Sequence, residues 1–328
     1  MNLNDLDKLL DELLSKYQST YLSILKKLGI NIEKDLTDKQ KEQVIEEIEK
    51  QIKKLEDATH YWVFAILPAY YLLSMDRIDK DVKELNKILP TVNVMDKYIK
   101  SFKFIDGVSF DVKTVSQKKA VRHIKAIEVA CNSTFNDLAA NTRKMNEEAK
   151  KIIRSNGKHI ITNEVKSGES QRKTKKELRE ALMRDGITTF VDARGTHWNI
   201  ANYADMAVRT KSRDIHNQGT MNRLSEYGKE YPKAKENFDC IQISSHGSTC
   251  WCGYYELCVF SVSGEHPDYP PVTSLPNRPY SNFHPRCRHV FLPYMPGLRG
   301  KGKVAPAKYL NKTLREMQKL HYHSSKKK

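Results

Sequence analysis

The stretch SNFHPRCRHVFLPY, Ser281 to Tyr294, sets His284, Cys287 and His289 within six residues and then runs into an apolar, aromatic end. Upstream, CWCGYY (Cys250 to Tyr255) offers two more thiols. Together Cys250, Cys252, His284 and Cys287 make a ligand set suited to tetrahedral zinc, the one cofactor expected, with His246 or His289 as substitutes. The spacing is imperfect, because a single residue separates Cys250 from Cys252 where zinc knuckles have two or more. The plain alternative is a metal-free corner in which cysteines pack as small apolar residues and the histidines bond loop carbonyls.

An enzyme is the third reading. Cys287 would be the nucleophile of a thiol hydrolase, with His284, His289 or His246 as base and Arg286 and Arg288 lowering the thiol pKa. No oxyanion signature and no orienting acid stands at useful spacing. A zinc-dependent nuclease fares no better, since Asp192, Asp205 and Asp239 are scattered. GLRGKG lacks the phosphate-loop spacing. The expectation is a closing corner without catalysis.

Around that corner the pattern is mixed. DCIQIS and CVFSVS alternate as short strands among Pro- and Gly-containing loops. ITTFVDARGTHWNI reads as a hairpin turning at Arg194-Gly195, with Asp192 and Arg194 pairing across the tip and Trp198 giving core area; a contact of Arg194 with a partner is the rival. KKELREALMRDG is a helix stopped by Gly186, and a longer helix from about Asn202 to Tyr227 is stopped by Gly228. This half is a small α+β domain.

The first half is helical. Leu3, Leu6, Leu10, Leu13, Tyr17, Tyr21, Ile24 and Leu28 recur at spacings of three and four, with Gly29 as the stop. Thr37 and Gln40 have capping-box spacing for a second helix, which Pro68 should kink. A third helix from about Thr114 to Arg154 has Val121, Ile124, Ile127, Leu138, Met145 and Ile152 on its stripe. The expected division is a helical part, 1–160, an α+β part, 161–298, and a basic tail, 299–328.

The chain carries 56 Lys+Arg against 40 Asp+Glu, a net +16, and such an excess attracts polyanions. From residue 299 onward there are ten basic residues, Arg299, Lys301, Lys303, Lys308, Lys312, Arg315, Lys319, Lys326, Lys327 and Lys328, against Glu316 alone. They are the candidates for salt-sensitive, sequence-independent contact with double-stranded DNA. The alternative is a solubilising end, and PAKYLNKTLREMQKLHYH is an amphipathic helix that would dock on its own protein. YWVFAILPAYYLLSM is shorter than the ~20 residues that cross a bilayer and holds Pro68, so it reads as a buried helix. The opening MNLNDLDKLLDELL is acidic and amphipathic where a leader is basic and then apolar, so thiols in a reducing cytoplasm are expected.

The succession VDARGTHWNIANYADMAVRT (Val191 to Thr210), IHNQG (Ile215 to Gly219), ISSH (Ile243 to His246), CGYYELCVFSVSG (Cys252 to Gly264) and HPRCRHVFLPY (His284 to Tyr294) resembles the phage minor capsid protein 2 family. That family is similar to the Mu F-like head-morphogenesis proteins. The match carries over at Asp192, Arg194, Gly195, Trp198, Tyr203, Arg209, Thr210, His246, Cys252, Gly264, Cys287, Arg288 and His289. It departs at Glu256-Leu257, where the family tends to have Gln-Gly. The resemblance implies a low-copy virion protein inside the head near the portal, present in the host cytoplasm during assembly. Its implied partners are the portal, capsid components and packaged DNA, with no membrane and no common enzymatic reaction.

Overall fold

The computed structural model describes residues 2–34, 36–88, 98–103, 109–113, 117–155, 171–193, 195–276 and 283–325. In chain order it has α1 (Leu3–Lys34), α2 (Asp38–Tyr61), a π-helical turn (Trp62–Ile66), α3 (Leu67–Ile88), β1 (Tyr98–Lys103), β2 (Ser109–Lys113) and α4 (Gln117–Arg154). There follow α5 (Gln171–Asp185), β3 (Phe190–Val191), β4 (His197–Trp198), α6 (Ile200–Glu230), β5 (Cys240–Ile243) and β6 (Cys258–Ser261). The chain ends with β7 (Phe291–Tyr294), α7 (Pro296–Arg299), β8 (Lys303–Val304) and α8 (Leu314–Ser325). Long helices first and a small sheet later make this the α+β fold the patterning called for. The break expected at 156–170 lies outside the described residues.

Two compact units form, one from Asp7–Val63 with Asn132–Val208 and the other from Met1–Leu6, Phe64–Cys131 and Arg209–Lys328. In the first, the α1 stripe is buried through Leu10, Leu13, Tyr17, Tyr21, Ile24 and Leu28, and it continues to Ile32. Gly29 therefore does not stop the helix. Packing carries the helix past it, since Asn31 and Ile32 beyond it are both fully buried. Ile45, Ile48, Ile52 and Leu55 of α2 and Leu138, Met145 and Ile152 of α4 are also core. Each such side chain is worth about 1.5–3 kcal/mol on burial.

Thr37 caps α2 by the full reciprocal box with Gln40. Gly186 ends α5 at φ +68°, its N–H on the Leu182 carbonyl at 2.9 Å. A Cβ there would sit 2.0 Å from the Tyr21 hydroxyl, which instead accepts the Ile187 N–H at 3.0 Å. The expected hairpin pairs Phe190 with Trp198 and Val191 with His197.

In the second unit, Pro68 lies one residue into α3, directly after the π turn at Trp62–Ile66. The wider turn is where the chain takes up the missing Pro68 donor, so the disturbance precedes the proline. On α4 the exposed residue is Val121 and the buried one is His123. The expected stripe holds from Ile127 onward, and only at the start of the helix does a histidine fill the inward position. Asn222 donates to the Tyr71 hydroxyl at 2.8 Å, which meets His123 Nδ1 at 2.6 Å. His123 Nε2 lies 3.1 Å from Glu226 Oε2, and Arg223 bonds Glu226 at 2.7 Å and Asp79 at 2.8 Å. Tyr227 adds a bond to Asp79 at 2.9 Å. All seven are buried, and together they join α3, α4 and α6.

The sheet of this unit has the order β7-β5-β6-β8, antiparallel except for the parallel β6–β8 pair. Ile241, Ile243 and Phe260 pack with Leu224 and Tyr227 of α6, Val82 and Leu85 of α3, and Met317 of α8. Gly219 permits the closeness of α3 and α6: a Cβ there would meet Ser74 Oγ at 2.3 Å and the Tyr71 carbonyl at 2.7 Å. α6 runs on through Gly228, whose next turn is held by the Tyr231 N–H on the Tyr227 carbonyl at 2.9 Å. Among the described residues no helix is long and apolar enough to cross a membrane.

Candidate metal centre

The Cys/His corner is set by β5 and β7. They pair antiparallel with Ile243 opposite Phe291, and α6 grips the Phe291 backbone at both ends. Asn217 Oδ1 accepts its N–H at 2.8 Å and Thr220 Oγ1 donates to its carbonyl at 3.1 Å. Beyond the ladder, Ser244 and Val290 exchange bonds of 2.9 and 3.0 Å, which puts His289 opposite the loop leaving β5. That loop leads to a 3₁₀ turn, Trp251–Tyr255. Phe283 anchors the turn from the other side, stacked on Tyr255 at 5.2 Å and edge-on to Trp251 at 5.7 Å.

Three of the four expected ligands converge. His284 Nε2 lies 3.3 Å from Cys250 Sγ and 3.4 Å from Cys252 Sγ, and ligand atoms of all three lie within 4.8 Å of one another. His284 Nδ1 is 2.9 Å from the Pro285 carbonyl, which only accepts, so Nδ1 carries the proton and Nε2 is bare. Ser248 Oγ contacts both sulfurs, at 3.0 and 3.3 Å. Cys287 joins Cys252 and His289 in a second group of the same span. Its Sγ is 3.2 Å from His289 Nδ1.

Cys250 and Cys252 are bonded to one another through sulfur, where all six cysteines were expected as thiols. Residues two apart place these Cα atoms 5.5 Å from each other, inside the span a disulfide bridges. Cys131, Cys240, Cys258 and Cys287 form no disulfide among the described residues.

Glu256 is the residue the sequence did not single out for this corner. Its carboxylate accepts the Ser245 hydroxyl at 2.8 Å, the His246 N–H at 3.2 Å, the Ser248 N–H at 2.9 Å and His289 Nε2 at 3.1 Å. Burial would raise its pKa, but the Ser248, Ser245, His246 and His289 donors outweigh that and hold it at about 2. Burial takes His289 down to about 4 against the pull of Glu256. The Cys287 thiol is pushed up by burial despite the N–H groups of His289, Phe283 and His284. His246 stands exposed at the rim, its ring 4.2 Å from that of His289. The departure from the family pattern at position 256 was the available signal, and it pointed to the right turn without naming its partners.

The remaining residues of interest are dispersed. Asp192 closes its hairpin by accepting the Thr196 N–H at 2.9 Å and the Trp198 indole N–H at 3.2 Å; Arg194 lies outside the described residues. Gly195 sits in that turn at φ +80°. Asp239 is occupied by the Ser261 and Ser263 hydroxyls at 2.5 and 2.9 Å. Arg288 is exposed and Arg209 half-buried. Thr210 Oγ1 accepts the Arg286 N–H at 3.3 Å.

The basic segment is built into the unit. β8 pairs with β6, Ala305 and Met317 are buried, Tyr309 stacks on Tyr254 at 4.5 Å, and the Tyr255 hydroxyl donates to the Tyr309 carbonyl at 2.6 Å. Arg299 pairs with Asp81 at 2.8 Å, Lys303 donates to the Glu256 carbonyl at 3.0 Å, and Lys308 lies over the Tyr309 ring. Lys301, Arg315 and Lys319 are exposed and Lys312 half-buried, while Lys326, Lys327 and Lys328 lie outside the described residues.

No curated protein and no solved structure matches the chain. A family model does, that of phage minor capsid protein 2, and it runs from residue 5 to residue 328. The match takes in the helical elements as well as the Cys/His corner, and with nearly every residue inside it the chain belongs to the phage minor capsid protein 2 family, whose place is in the phage capsid.

Proposed function

We propose that the protein is a low-copy component of the head interior near the portal, where it assists head assembly and touches packaged double-stranded DNA without reading its sequence. Membership of a capsid family supplies the virion and its capsid partners. The observation that carries the DNA contact is the charge: ten of the last 30 residues are basic and one is acidic. Several of those cations project from a folded surface, since β8 and Met317 anchor the segment while Lys301, Arg315 and Lys319 stay exposed. Each cation set on a phosphate releases condensed counterions, which gives binding that is strong at low salt and indifferent to sequence.

Two measurements test this. Cross-linking with mass spectrometry on purified particles should join the chain to the portal; particles without it end the proposal. In solution, the logarithm of DNA affinity should fall linearly with the logarithm of salt. The triple variant Lys301→Gln, Arg315→Gln, Lys319→Gln should flatten that slope by about 2–3, at ~0.9 per phosphate lost. An unchanged slope would remove these residues from the contact.

One geometric observation favours an enzyme: Cys287, His289 and Glu256 stand in the order thiol, imidazole, carboxylate, with links of 3.2 and 3.1 Å. The chemistry runs the other way. Cys287 is 3% exposed, its pKa is raised, and His289 is neutral at physiological pH, so the thiolate nucleophile is not formed. The carboxylates Asp192 and Asp239 are spent on their own turns, and the one acid described at the corner, Glu256, already accepts four hydrogen bonds.

A further inference from the structure

The corner contains a mismatch that hydrogen bonding alone does not resolve. His284 spends its one N–H on the Pro285 carbonyl, so its bare Nε2 faces two sulfurs at nearly equal distances, 3.3 and 3.4 Å. His289 is satisfied by contrast: its Nε2 is committed to a carboxylate that already accepts three other donors, and its Nδ1 accepts the Cys287 thiol proton at 3.2 Å. Lone pairs aimed at sulfur lone pairs are held together by protons or by a cation. A histidine whose second nitrogen is fixed on a carbonyl or carboxylate is the usual outer arrangement of a metal ligand. Bonds of ~2.3 Å to sulfur and ~2.0 Å to nitrogen at tetrahedral angles put neighbouring S and N ligand atoms about 3.5 Å apart, close to what His284 shows.

We propose that the reduced chain binds one zinc ion through Cys250, Cys252, His284 and Cys287. Cys252 is the common member of both Cys/His groups. Once the Cys250–Cys252 bond is reduced and the two sulfurs part, an ion seated there takes His284 as it stands and draws in Cys250 and Cys287 by rotation about their Cα–Cβ bonds. The Cys250–Cys252 bond must first be opened by a thiol reductant, which supplies two electrons while two protons are taken up and leaves as its own disulfide; the three thiols then bind zinc as thiolates and release three protons to solvent. Four protein ligands fill the tetrahedron and leave no open position, so the centre is structural.

What it fastens follows from its neighbours. The ion ties the Cys250–Tyr255 turn to the chain 32 or more residues later, entering β7. That same turn seats the C-terminal segment through the Tyr254–Tyr309 stack and the bond from Tyr255 to the Tyr309 carbonyl. Zinc therefore holds the surface on which α8 docks, whatever that segment touches.

The test uses the full chain, purified with a thiol reductant and no chelator. Elemental analysis should find about one zinc per chain. Replacement by cobalt(II) should give the thiolate-to-cobalt charge-transfer band and the intense visible bands of a tetrahedral site. Cys252→Ser and Cys287→Ser should lose the metal, while Cys131→Ala and His289→Gln should keep it. Removing the metal should speed amide exchange in Leu314–Ser325 at least tenfold. Wild-type protein that stays metal-free after zinc addition, or that is isolated with Cys250 and Cys252 oxidised to each other and cannot take zinc once reduced, overturns the proposal however the variants fold. Retention by Cys287→Ser with loss by His289→Gln overturns the ligand assignment.

Discussion

Two polar clusters lie within the same unit, and they are assembled differently. Around Arg223 every group meets its complement: Asn222, Tyr71 and His123 form a run of donors ending on Glu226, and Arg223 divides its fork between Glu226 and Asp79. Only Glu226 Oε1 has no hydrogen-bond partner. At the Cys/His corner the bare Nε2 of His284 faces two sulfurs, and the donors are gathered on Glu256 instead. A cluster of matched donors and acceptors holds helices together by itself. One whose lone pairs converge needs protons or a cation between them.

The contrast is broken most forcefully at Arg223. Arg223→Ala leaves two carboxylates buried without their cation, and it should cost about 3–5 kcal/mol, read as the shift of the urea midpoint at constant slope. Arg223→Lys keeps the charge and loses the fork, so it should recover only part of this. A loss below ~1 kcal/mol for the alanine variant would mean that water reaches the network and that the two clusters differ less than their geometry indicates.

A smaller effect is expected at the anchor of the other cluster. Glu256→Ala strands the donors of Ser245, His246, Ser248 and His289 and should cost about 2–3 kcal/mol. Glu256→Gln is the sharper probe. Its oxygen can keep the His246, Ser248 and His289 bonds, and its amide can donate to a Ser245 hydroxyl that turns round to accept. The cost should be under ~1 kcal/mol, and a loss as large as that of the alanine variant would show that the charge, beyond the shape, is needed.

The helices were readable because α1 and α2 bury one regular face, and periodicity reports such a face directly. It failed where burial was polar: His123 fills a core position on α4 that the apolar pattern assigned to Val121, and nothing local marks the change. Stop signals failed for a related reason. Gly29 lies inside a helix because packing beyond it, at Asn31 and Ile32, outweighs ~1 kcal/mol of local propensity, while Gly228 misses its helix end by two exposed residues. Cys250, Cys252 and His284 were legible as a set since their chemistry shows in residue type, whereas Glu256 is one acid among many until the fold brings Ser245, Ser248 and His289 around it. β8 was not foreseen. Lys303 and Val304 are both exposed, so no alternation betrays a strand whose partner lies 45 residues earlier.

The least effect is expected next door, and it separates inherited geometry from local need. Leu257 has φ +63°, a conformation that costs a side-chain-bearing residue about 1–2 kcal/mol and costs glycine almost nothing. The position is fixed by its backbone: the Leu257 N–H reaches the Ile243 carbonyl at 3.0 Å, and its own carbonyl accepts Gln242 Nε2 at 3.1 Å. The side chain is half exposed, so little burial offsets the strain. Leu257→Gly should therefore stabilise the chain by roughly 0.5–1 kcal/mol, the relief of strain less the added freedom of an unfolded glycine. Combined with Glu256→Gln it restores the Gln-Gly turn of the family pattern. The double variant should melt within a degree or two of the natural chain if that turn serves only to present position 256. Destabilisation by Leu257→Gly alone would instead show that the leucine side chain packs on the turn and compensates for its own backbone.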